Sequence, residues 1–273
     1  MSAVLEMTSV RVEPAAGSLG AYVHGFDIGA DLDQEQKNYV RALMRQYHVV
    51  CFRGQSITPQ QHKTFTATVF GDFYIQPVVG GLEGYPEIIE VIGARKLTEN
   101  WHQDSSHAVR PPRFSILVAR ELPPYGNDTQ FSNQHLAFER LSPGLQKVLQ
   151  GLRAVHTTAK VPPSKDYAVY RTIDEQATHP VVRTHPETGR KALYVNSMYT
   201  RRFEDMTVEE SLPLLQYLWA HCGRVELTFR HRWQPGDVVI WDNASVQHAV
   251  IGDMPEGTRR YMQRTTTMDD VPV

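Results

Sequence analysis

Hydrophobic residues in the first third of the chain recur at the spacing of a helix. Between residues 31 and 48 they fall every three or four positions behind an acidic start, and this spacing predicts an amphipathic helix. The residues on its apolar face are Tyr39, Val40, Leu43, Met44 and Tyr47. The apolar run VVCF at 49–52 then predicts a short buried strand. A second helix is predicted to begin after Thr58, because Thr58 suits its N-cap, Pro59 its first position and Gln61 a capping box.

Beyond residue 100 the pattern changes to short apolar runs separated by turns. Strands are predicted at SILVAREL, at TQF after the turn YGND, and at VVIW after the turn PGD, with a hairpin over THPETGRKALYVN. Two further helices are predicted, one capped by Ser142 and one capped by Thr207, with Glu210 closing a capping box. Short strands with wide connections and few helices predict a mostly β fold. We expect a double-sheet jelly roll with flanking helices, in one domain over residues 1–273.

The polar segment 157–178 has weak hydrophobic patterning. Long segments of this kind often close over active sites, so it is a candidate lid, with Tyr167 and Tyr170 covering an apolar body. A surface loop that the same tyrosines anchor to the core fits the pattern equally well.

Composition and charge narrow the functional classes. The chain has 273 residues, 41% of them hydrophobic, and a formal net charge of −2, so neither nucleic acid nor an anionic membrane is the expected partner. No apolar run approaches the roughly 18 residues that span a bilayer, and the N-terminus lacks a signal-peptide pattern, so a cytoplasmic protein is expected. Cys51 and Cys222 have no metal-binding or redox spacing and are interpreted as packed, reduced thiols.

The stretch NWHQDSSH at 100–107 contains the first candidate for metal binding. Side chains alternate on a strand, so His102 and Asp104 are predicted to share a face while Gln103 points away. Two histidines and one carboxylate on one face are a common ligand set for ferrous iron. His248 is the candidate third ligand, because VVIWDNASVQH runs from a buried strand through a turn to this histidine. A polar strand end would also explain an isolated His-x-Asp pair.

The other histidines outside this stretch have no partner motif and are assigned to packing or to the surface. They are His24, His48, His62, His135, His156, His179, His185, His221 and His231.

Arginines near the C-terminus supply a candidate anion site. The segment EGTRRYMQRTTT is predicted to be a strand, on which Arg260 and Arg264 lie four residues apart and face the same side. Inward-facing arginines require anions as partners, and a guanidinium can bind a carboxylate through two parallel hydrogen bonds. Arginines on an outer sheet face, paired with Asp or Glu, are the alternative.

Four motifs in order, WHQD, GNDT, WDNASVQH and RRYMQR, resemble those of the TauD/TfdA family of Fe(II)- and 2-oxoglutarate-dependent dioxygenases. LGAYVHGFDI, FRGQ and HPVVRTHPETGRKALYVN extend the resemblance over nearly the whole chain. It implies a distorted jelly roll, the double-stranded β-helix, and a homo-oligomer (dimer or tetramer). It also implies that His102, Asp104 and His248 hold the iron.

The resemblance implies roles for further residues. Arg260 corresponds to the arginine that binds the distal carboxylate of 2-oxoglutarate, and Thr129 to its hydroxyl partner. Arg264 corresponds to an arginine near the acidic group of the primary substrate, and a structural arginine that supports the cosubstrate pocket is the alternative. Asn100 corresponds to a position lining the substrate pocket. Fe(II), 2-oxoglutarate and O2 are therefore the expected cofactor and cosubstrates, with succinate and CO2 as products. Halogenating relatives have a small residue at the position of Asp104, so hydroxylation is the expected outcome.

The substrate is less closely defined than the reaction. Sulfonate-cleaving members carry a histidine in the segment that corresponds to GDFYIQPV, where this chain has Tyr74 and Gln76. We expect these two residues and Ser105 to contact a small anionic acid of aryloxyalkanoate type, whose C–O bond breaks after hydroxylation next to oxygen. The alternatives are an alkylsulfonate or alkyl sulfate ester (taurine type), or a biosynthetic hydroxylation. More distant alternatives are a zinc hydrolase and a non-catalytic jelly-roll binding protein.

Overall fold

The computed structural model describes residues 10–76, 79–93, 99–159 and 175–273. The candidate lid at 157–178 is therefore described only at its two ends, and Tyr167 and Tyr170 lie outside the described residues. The α-helices in the described ranges are α1 (Gln34–Tyr47), α2 (Pro59–Phe70), α3 (Gln134–Glu139), α4 (Pro143–Gln150) and α5 (Val208–Cys222). The strands are β1 (Arg11–Pro14), β2 (Ala21–His24), β3 (Val49–Phe52), β4 (Gly81–Leu82), β5 (Tyr85–Ile92), β6 (Pro112–Glu121), β7 (Thr129–Asn133), β8 (Arg153–Thr157), β9 (Gln176–Pro180), β10 (Val182–Thr184), β11 (Lys191–Leu193), β12 (Thr200–Phe203), β13 (Thr228–His231), β14 (Val238–Asp242), β15 (Val246–Val250) and β16 (Tyr261–Met268).

Side-chain caps define where the helices begin. Asp33, Thr58 and Thr207 each cap a helix and form a capping box with the glutamine or glutamate three residues later. Ser142 caps α4 by accepting a hydrogen bond from a main-chain amide of its first turn. These caps confirm the four predicted helices. The sequence pattern does not predict α3, which begins after the cap Asn133 and, at six residues, is too short to show a helical repeat.

The largest sheet is covered on both faces, which explains its continuous apolar strands. Within the described residues its strands run in the order β1-β2-β3-β14-β6-β16-β5-β4. Val50 and Phe52 of β3 pack with α1 and α2, whereas Val49 and Cys51 face the opposite side. The strands β6 and β14 alternate in the same way. Because neither face is exposed, no apolar–polar alternation is visible in their sequences, and the predicted strands at VVCF, SILVAREL and VVIW are confirmed.

A smaller sheet, ordered β13-β7-β15, covers the second face of the large sheet. Phe131, Phe229 and Val246 of the smaller sheet share a core with Trp241 and Met262 of the large one. The sheets β12-β8-β9 and β10-β11 complete the chain, with a core to which α3 and α5 contribute. The mostly β architecture with few helices is therefore confirmed. Among the described residues, no helix combines the length and apolar character needed to cross a bilayer.

Candidate active site

Three potential metal ligands, His102, Asp104 and His248, meet at the edge of the smaller sheet. All three are buried, and their donor atoms lie within 4.8 Å of one another. His248 lies in β15 and forms an isolated antiparallel bridge with His102. Two reciprocal main-chain hydrogen bonds make this bridge, from His102 N to His248 O at 3.0 Å and from His248 N to His102 O at 2.9 Å. The structure thus brings together the three residues that the sequence singled out.

The prediction that His102 and Asp104 share the face of a strand is wrong. His102 forms only the isolated bridge, and Asp104 opens a turn in which Ser105 adopts a left-handed conformation with φ of 43°. A non-glycine residue rarely adopts this conformation, so the turn is held by its surroundings. The turn, rather than strand alternation, brings the Asp104 carboxylate to the histidines.

Asp104 is fixed by residues that the sequence analysis did not single out. Its main-chain amide donates to Asn243 Oδ1 at 3.0 Å, and its Oδ2 accepts from Ser115 Oγ at 2.7 Å. Asn243 Nδ2 also donates to Ser115 Oγ, and Trp241 Nε1 donates to Asn243 Oδ1. The signal for Asn243 was its place in WDNASVQH, whereas nothing in the sequence marks Ser115. Such contacts orient a ligand and raise metal affinity.

The electrostatics of the site suit a divalent cation. Burial alone would raise the pKa of the Asp104 carboxyl, but Arg264 and the two histidines hold it well below its usual range. Burial lowers the pKa of His102, and burial together with the neighbouring His102 lowers that of His248. His102 Nδ1 donates to the Asn100 carbonyl at 2.8 Å, which leaves Nε2 as a free donor atom. Two neutral imidazoles and one carboxylate are a donor set that fits Fe(II).

A cavity beside these donors contains both arginines that were predicted to face inward. Thr129, Arg260 and Arg264 line it together with His102 and His248. Arg260 directly precedes β16 and is 2% exposed, yet no ion pair among the described residues includes it and its Nε has no hydrogen-bond partner there. Burial lowers the pKa of Arg260 to about 10. Among the described residues the guanidinium of Arg260 is thus buried without a counterion, which is unfavourable unless a ligand supplies an anion.

Thr129 and Arg260 both contact Trp233, an aromatic residue that sequence reasoning missed. Trp233 Nε1 donates to Thr129 Oγ1 at 3.0 Å, and the Arg260 guanidinium lies 5.6 Å from the centre of the Trp233 ring. Because Thr129 Oγ1 accepts from the indole, its own hydroxyl proton is available to a further acceptor. The hydroxyl and the guanidinium can thus donate to one anion.

Arg264 differs from Arg260 because it already has a partner. It lies on β16, and its Nη1 donates to Asp104 Oδ1 at 2.8 Å. The two arginines share the cavity, as predicted, but Arg264 connects that cavity to the carboxylate of the metal-ligand set.

Of the remaining predicted residues, Tyr74, Gln76 and Ser105 lie next to Asp104, and Asn100 lies beside His102. Gln76 Nε2 donates to Ser105 Oγ at 2.7 Å, and the phenol of the buried Tyr74 lies beside the same hydroxyl. Burial raises the pKa of Tyr74. Asn100 is exposed, and its carbonyl orients His102 as described above. Tyr74, Gln76 and Ser105 therefore form a neutral polar group next to the donor set.

Comparisons with known proteins give one consistent result. A family model described as taurine catabolism dioxygenase TauD, TfdA family matches residues 11–266. The chain is similar to an alpha-ketoglutarate-dependent sulfate ester dioxygenase of Pseudomonas putida, with 32% identity over 96% of this chain and 90% of that protein. It is also similar to an alpha-ketoglutarate-dependent 2,4-dichlorophenoxyacetate dioxygenase of Cupriavidus pinatubonensis, with 32% identity over 97% of this chain and 100% of that protein. A crystal structure of a taurine dioxygenase from Burkholderia xenovorans superposes with a TM-score of 0.86 and 37% identity, covering 97% of this chain and 91% of that one.

Proposed function

Because the chain belongs to the TauD/TfdA family, it is an Fe(II)- and 2-oxoglutarate-dependent dioxygenase, and we propose that it hydroxylates a small anionic organic acid of aryloxyalkanoate type. Fe(II), 2-oxoglutarate and O2 together supply the oxidant for a substrate C–H bond, and 2-oxoglutarate leaves as succinate and CO2. The protein's own residues bind the two acids, orient them and hold the metal.

The buried guanidinium of Arg260 is the observation that carries the assignment of the cosubstrate site. The distal carboxylate of 2-oxoglutarate would supply the missing counterion, and the Thr129 hydroxyl would donate a second hydrogen bond. His102, Asp104 and His248 are assigned as the metal ligands, because their donor atoms converge beside this cavity. The facing of the β13-β7-β15 sheet against the large sheet supports a distorted jelly roll in one domain.

The substrate assignment starts from the groups around Asp104. Among the described residues, Arg264 is the arginine that contacts the donor set, through Asp104, and it would bind the acidic group of the substrate. Tyr74, Gln76 and Ser105 offer neutral hydrogen-bonding groups rather than a second cation, which suits a singly charged acidic group. With an aryloxyalkanoate, hydroxylation of the carbon next to the ether oxygen gives a hemiacetal that collapses to a phenol and an oxo acid.

A sulfate ester or sulfonate is the second candidate. The 32% identity to the sulfate ester dioxygenase of Pseudomonas putida favours it, and a guanidinium binds sulfate as well as carboxylate. The same logic applies to the reaction, because hydroxylation next to the ester oxygen would release sulfate and an aldehyde.

A substrate panel distinguishes the candidates. The iron-loaded protein would be supplied with 2-oxoglutarate and with aryloxyacetates, alkyl sulfates or alkylsulfonates in turn. Succinate release would be measured beside phenol, sulfate or sulfite. We expect the highest ratio of kcat to KM, with phenol and succinate in equal amounts, for an aryloxyacetate. Sulfate release from alkyl sulfates alone would favour the second candidate.

Substitution of Arg264 tests recognition of the acidic group within the same assay. Arg264→Gln should raise KM for the preferred acid at least tenfold, whereas Arg259→Gln, which removes an exposed arginine paired with Glu121, should not. Iron binding is measured in both variants, because Arg264 also contacts Asp104. Unchanged KM values for every acid with Arg264→Gln would contradict the assignment.

A further inference from the structure

A second group of potential metal ligands lies against Trp233, away from the proposed iron site. Cys51 on β3, His231 on β13 and Asp237 before β14 are all buried, and their donor atoms lie within 4.8 Å of one another. The His231 and Trp233 ring centres are 4.6 Å apart. No sequence spacing links the three residues, so the sequence alone predicts only packing for Cys51 and His231.

Several polar atoms of this group have no partner among the described residues. Both ring nitrogens of His231 and Oδ1 of Asp237 lack a hydrogen bond there, although both side chains are fully buried. His231 Nε2 lies 3.1 Å from Asp237 Oδ2, but without the geometry of a hydrogen bond. Buried polar atoms are nearly always paired, so these three atoms require an explanation.

The nearby Arg53 accounts for only part of the group. Its Nη1 donates to Asp237 Oδ2, and the main-chain amide of Gln234 donates to the same oxygen at 2.8 Å. These bonds balance the charge of the carboxylate. They leave Asp237 Oδ1 and His231 Nε2 without a hydrogen bond among the described residues, and a cation between those two atoms and the Cys51 sulfur would satisfy both.

We propose that Cys51 Sγ, His231 Nε2 and Asp237 Oδ1 bind a divalent cation of the Zn²⁺ type. A thiolate and an imidazole favour such a cation over Mg²⁺ or Ca²⁺, which prefer oxygen ligands. Donor atoms about 2 Å from a tetrahedral Zn²⁺ lie roughly 3 to 4 Å apart, which this group can provide. Binding releases the Cys51 thiol proton to solvent, because the thiolate is the ligand.

The position of the group indicates what the cation would do. β3 belongs to the large sheet and β13 to the smaller one, so the cation would connect the two sheets. The cation would lie next to Trp233, whose indole also contacts Thr129 and Arg260. The site would therefore be structural, and it would support the wall of the proposed cosubstrate cavity.

Cobalt provides the direct test, because Co²⁺ bound to a thiolate absorbs in the near ultraviolet. The full, metal-free chain would be titrated anaerobically with Co²⁺ while absorbance is recorded, and bound Zn²⁺ would be counted after equilibrium dialysis. The proposed iron ligands contain no sulfur, so the thiolate band reports on a cysteine site alone. Cys222→Ser is the matched control, because Cys222 is the other buried cysteine and belongs to no metal-ligand group among the described residues.

We expect two equivalents of metal and a thiolate band in the wild type and in Cys222→Ser. Cys51→Ser should bind one equivalent without the band, and the zinc-dependent rise in its melting temperature should be smaller. His102→Ala should lose the other equivalent and keep the band, which separates this site from the proposed iron site. One equivalent without a band in the wild type would overturn the proposal and leave a buried ion pair with a water molecule. A band that persists in Cys51→Ser would also overturn it.

Discussion

Arg260 illustrates how a single side chain can identify a ligand. It is buried in a cavity whose described lining offers it no carboxylate, and its guanidinium lies near the Trp233 ring. An uncompensated buried charge destabilises the protein that carries it. The presence of Arg260 in this cavity is therefore explained by an anion that binds during function.

We predict that Arg260→Leu separates stability from cosubstrate binding. The variant should lose a charge-assisted interaction of about 1.5–3 kcal/mol, so KM for 2-oxoglutarate should rise by roughly 10- to 100-fold. Without cosubstrate its free energy of unfolding should equal or exceed that of the wild type, because no unpaired charge is buried. Steady-state kinetics and urea denaturation measure the two effects.

Arg259→Leu is the control for this prediction. Arg259 is the preceding residue, is 58% exposed at its side chain and pairs with Glu121. Arg259→Leu should change neither KM for 2-oxoglutarate nor the free energy of unfolding by more than a small amount. A normal KM for 2-oxoglutarate in Arg260→Leu would remove Arg260 from the cosubstrate site.

At the scale of single residues, the sequence predicts the side chains whose residue type and motif are typical of metal binding. His102, Asp104 and His248 stand in motifs and meet as expected. Ser115 could not be predicted, because serine is common and its contact with Asp104 arises from the turn after His102. The pairing of Arg264 with Asp104 joins residues 160 positions apart, so it too depends on the fold.

Among the elements, α2 supports the strand that carries Arg264. Thr66 Oγ1 lies 2.7 Å from Thr265 Oγ1, and His62 Nε2 lies 3.0 Å from the same hydroxyl. The helix therefore contacts β16 one residue beyond Arg264, and the cap at Thr58 fixes where the helix begins.

Removal of that cap should lower stability with little effect on the site. Thr58→Ala deletes the N-cap hydrogen bond of α2 and should reduce the free energy of unfolding by about 1 kcal/mol. The packed face of the helix is unchanged, so KM values should remain near those of the wild type. Thr64→Ala, an exposed position on the same helix, should cost clearly less in urea denaturation. Equal losses in the two variants would show that the cap has no special role.

The helices with caps were predictable because capping is a local interaction between residues three positions apart. The pairing of β14 with β3 and β6 was not predictable, because these strands are far apart in sequence and are buried on both faces. An apolar run of this kind shows that a strand exists but carries no information about its neighbours. The predicted number and type of elements were enough to predict a mostly β fold. The order of the strands within the sheets is known only from the structure.

The molecule as a whole buries a set of histidines in neutral form. Burial is the main cause that lowers the pKa of His48 and His62 to about 3 and that of His107, His135 and His179 to about 4. In the unfolded chain histidines titrate near pH 6.5. Between these values the unfolded chain binds protons that the folded protein does not.

Stability should therefore fall as the pH is lowered through this window. The contribution of these buried histidines to the free energy of unfolding should be fully present above about pH 6.5. It should decline towards pH 4, by up to about 1.4 kcal/mol per pH unit for each such histidine. Melting temperatures recorded between pH 7.5 and 4.5 measure this slope. His62→Gln should make the slope shallower, whereas Thr64→Ala, at an exposed position of the same helix and without a titratable group, should not. Identical slopes in the two variants would contradict the prediction.

The bridge between His102 and His248 has a consequence for which positions of the site can be exchanged. Two main-chain hydrogen bonds set the spacing of these residues, and every amino acid except proline can make such bonds through its backbone. The backbone spacing of the two histidines is thus set without the side chain of residue 104 and without the polar group at Tyr74, Gln76 and Ser105. Substitutions at those positions can therefore change the substrate or the outcome of the reaction, while the backbone that carries the two imidazoles keeps its geometry.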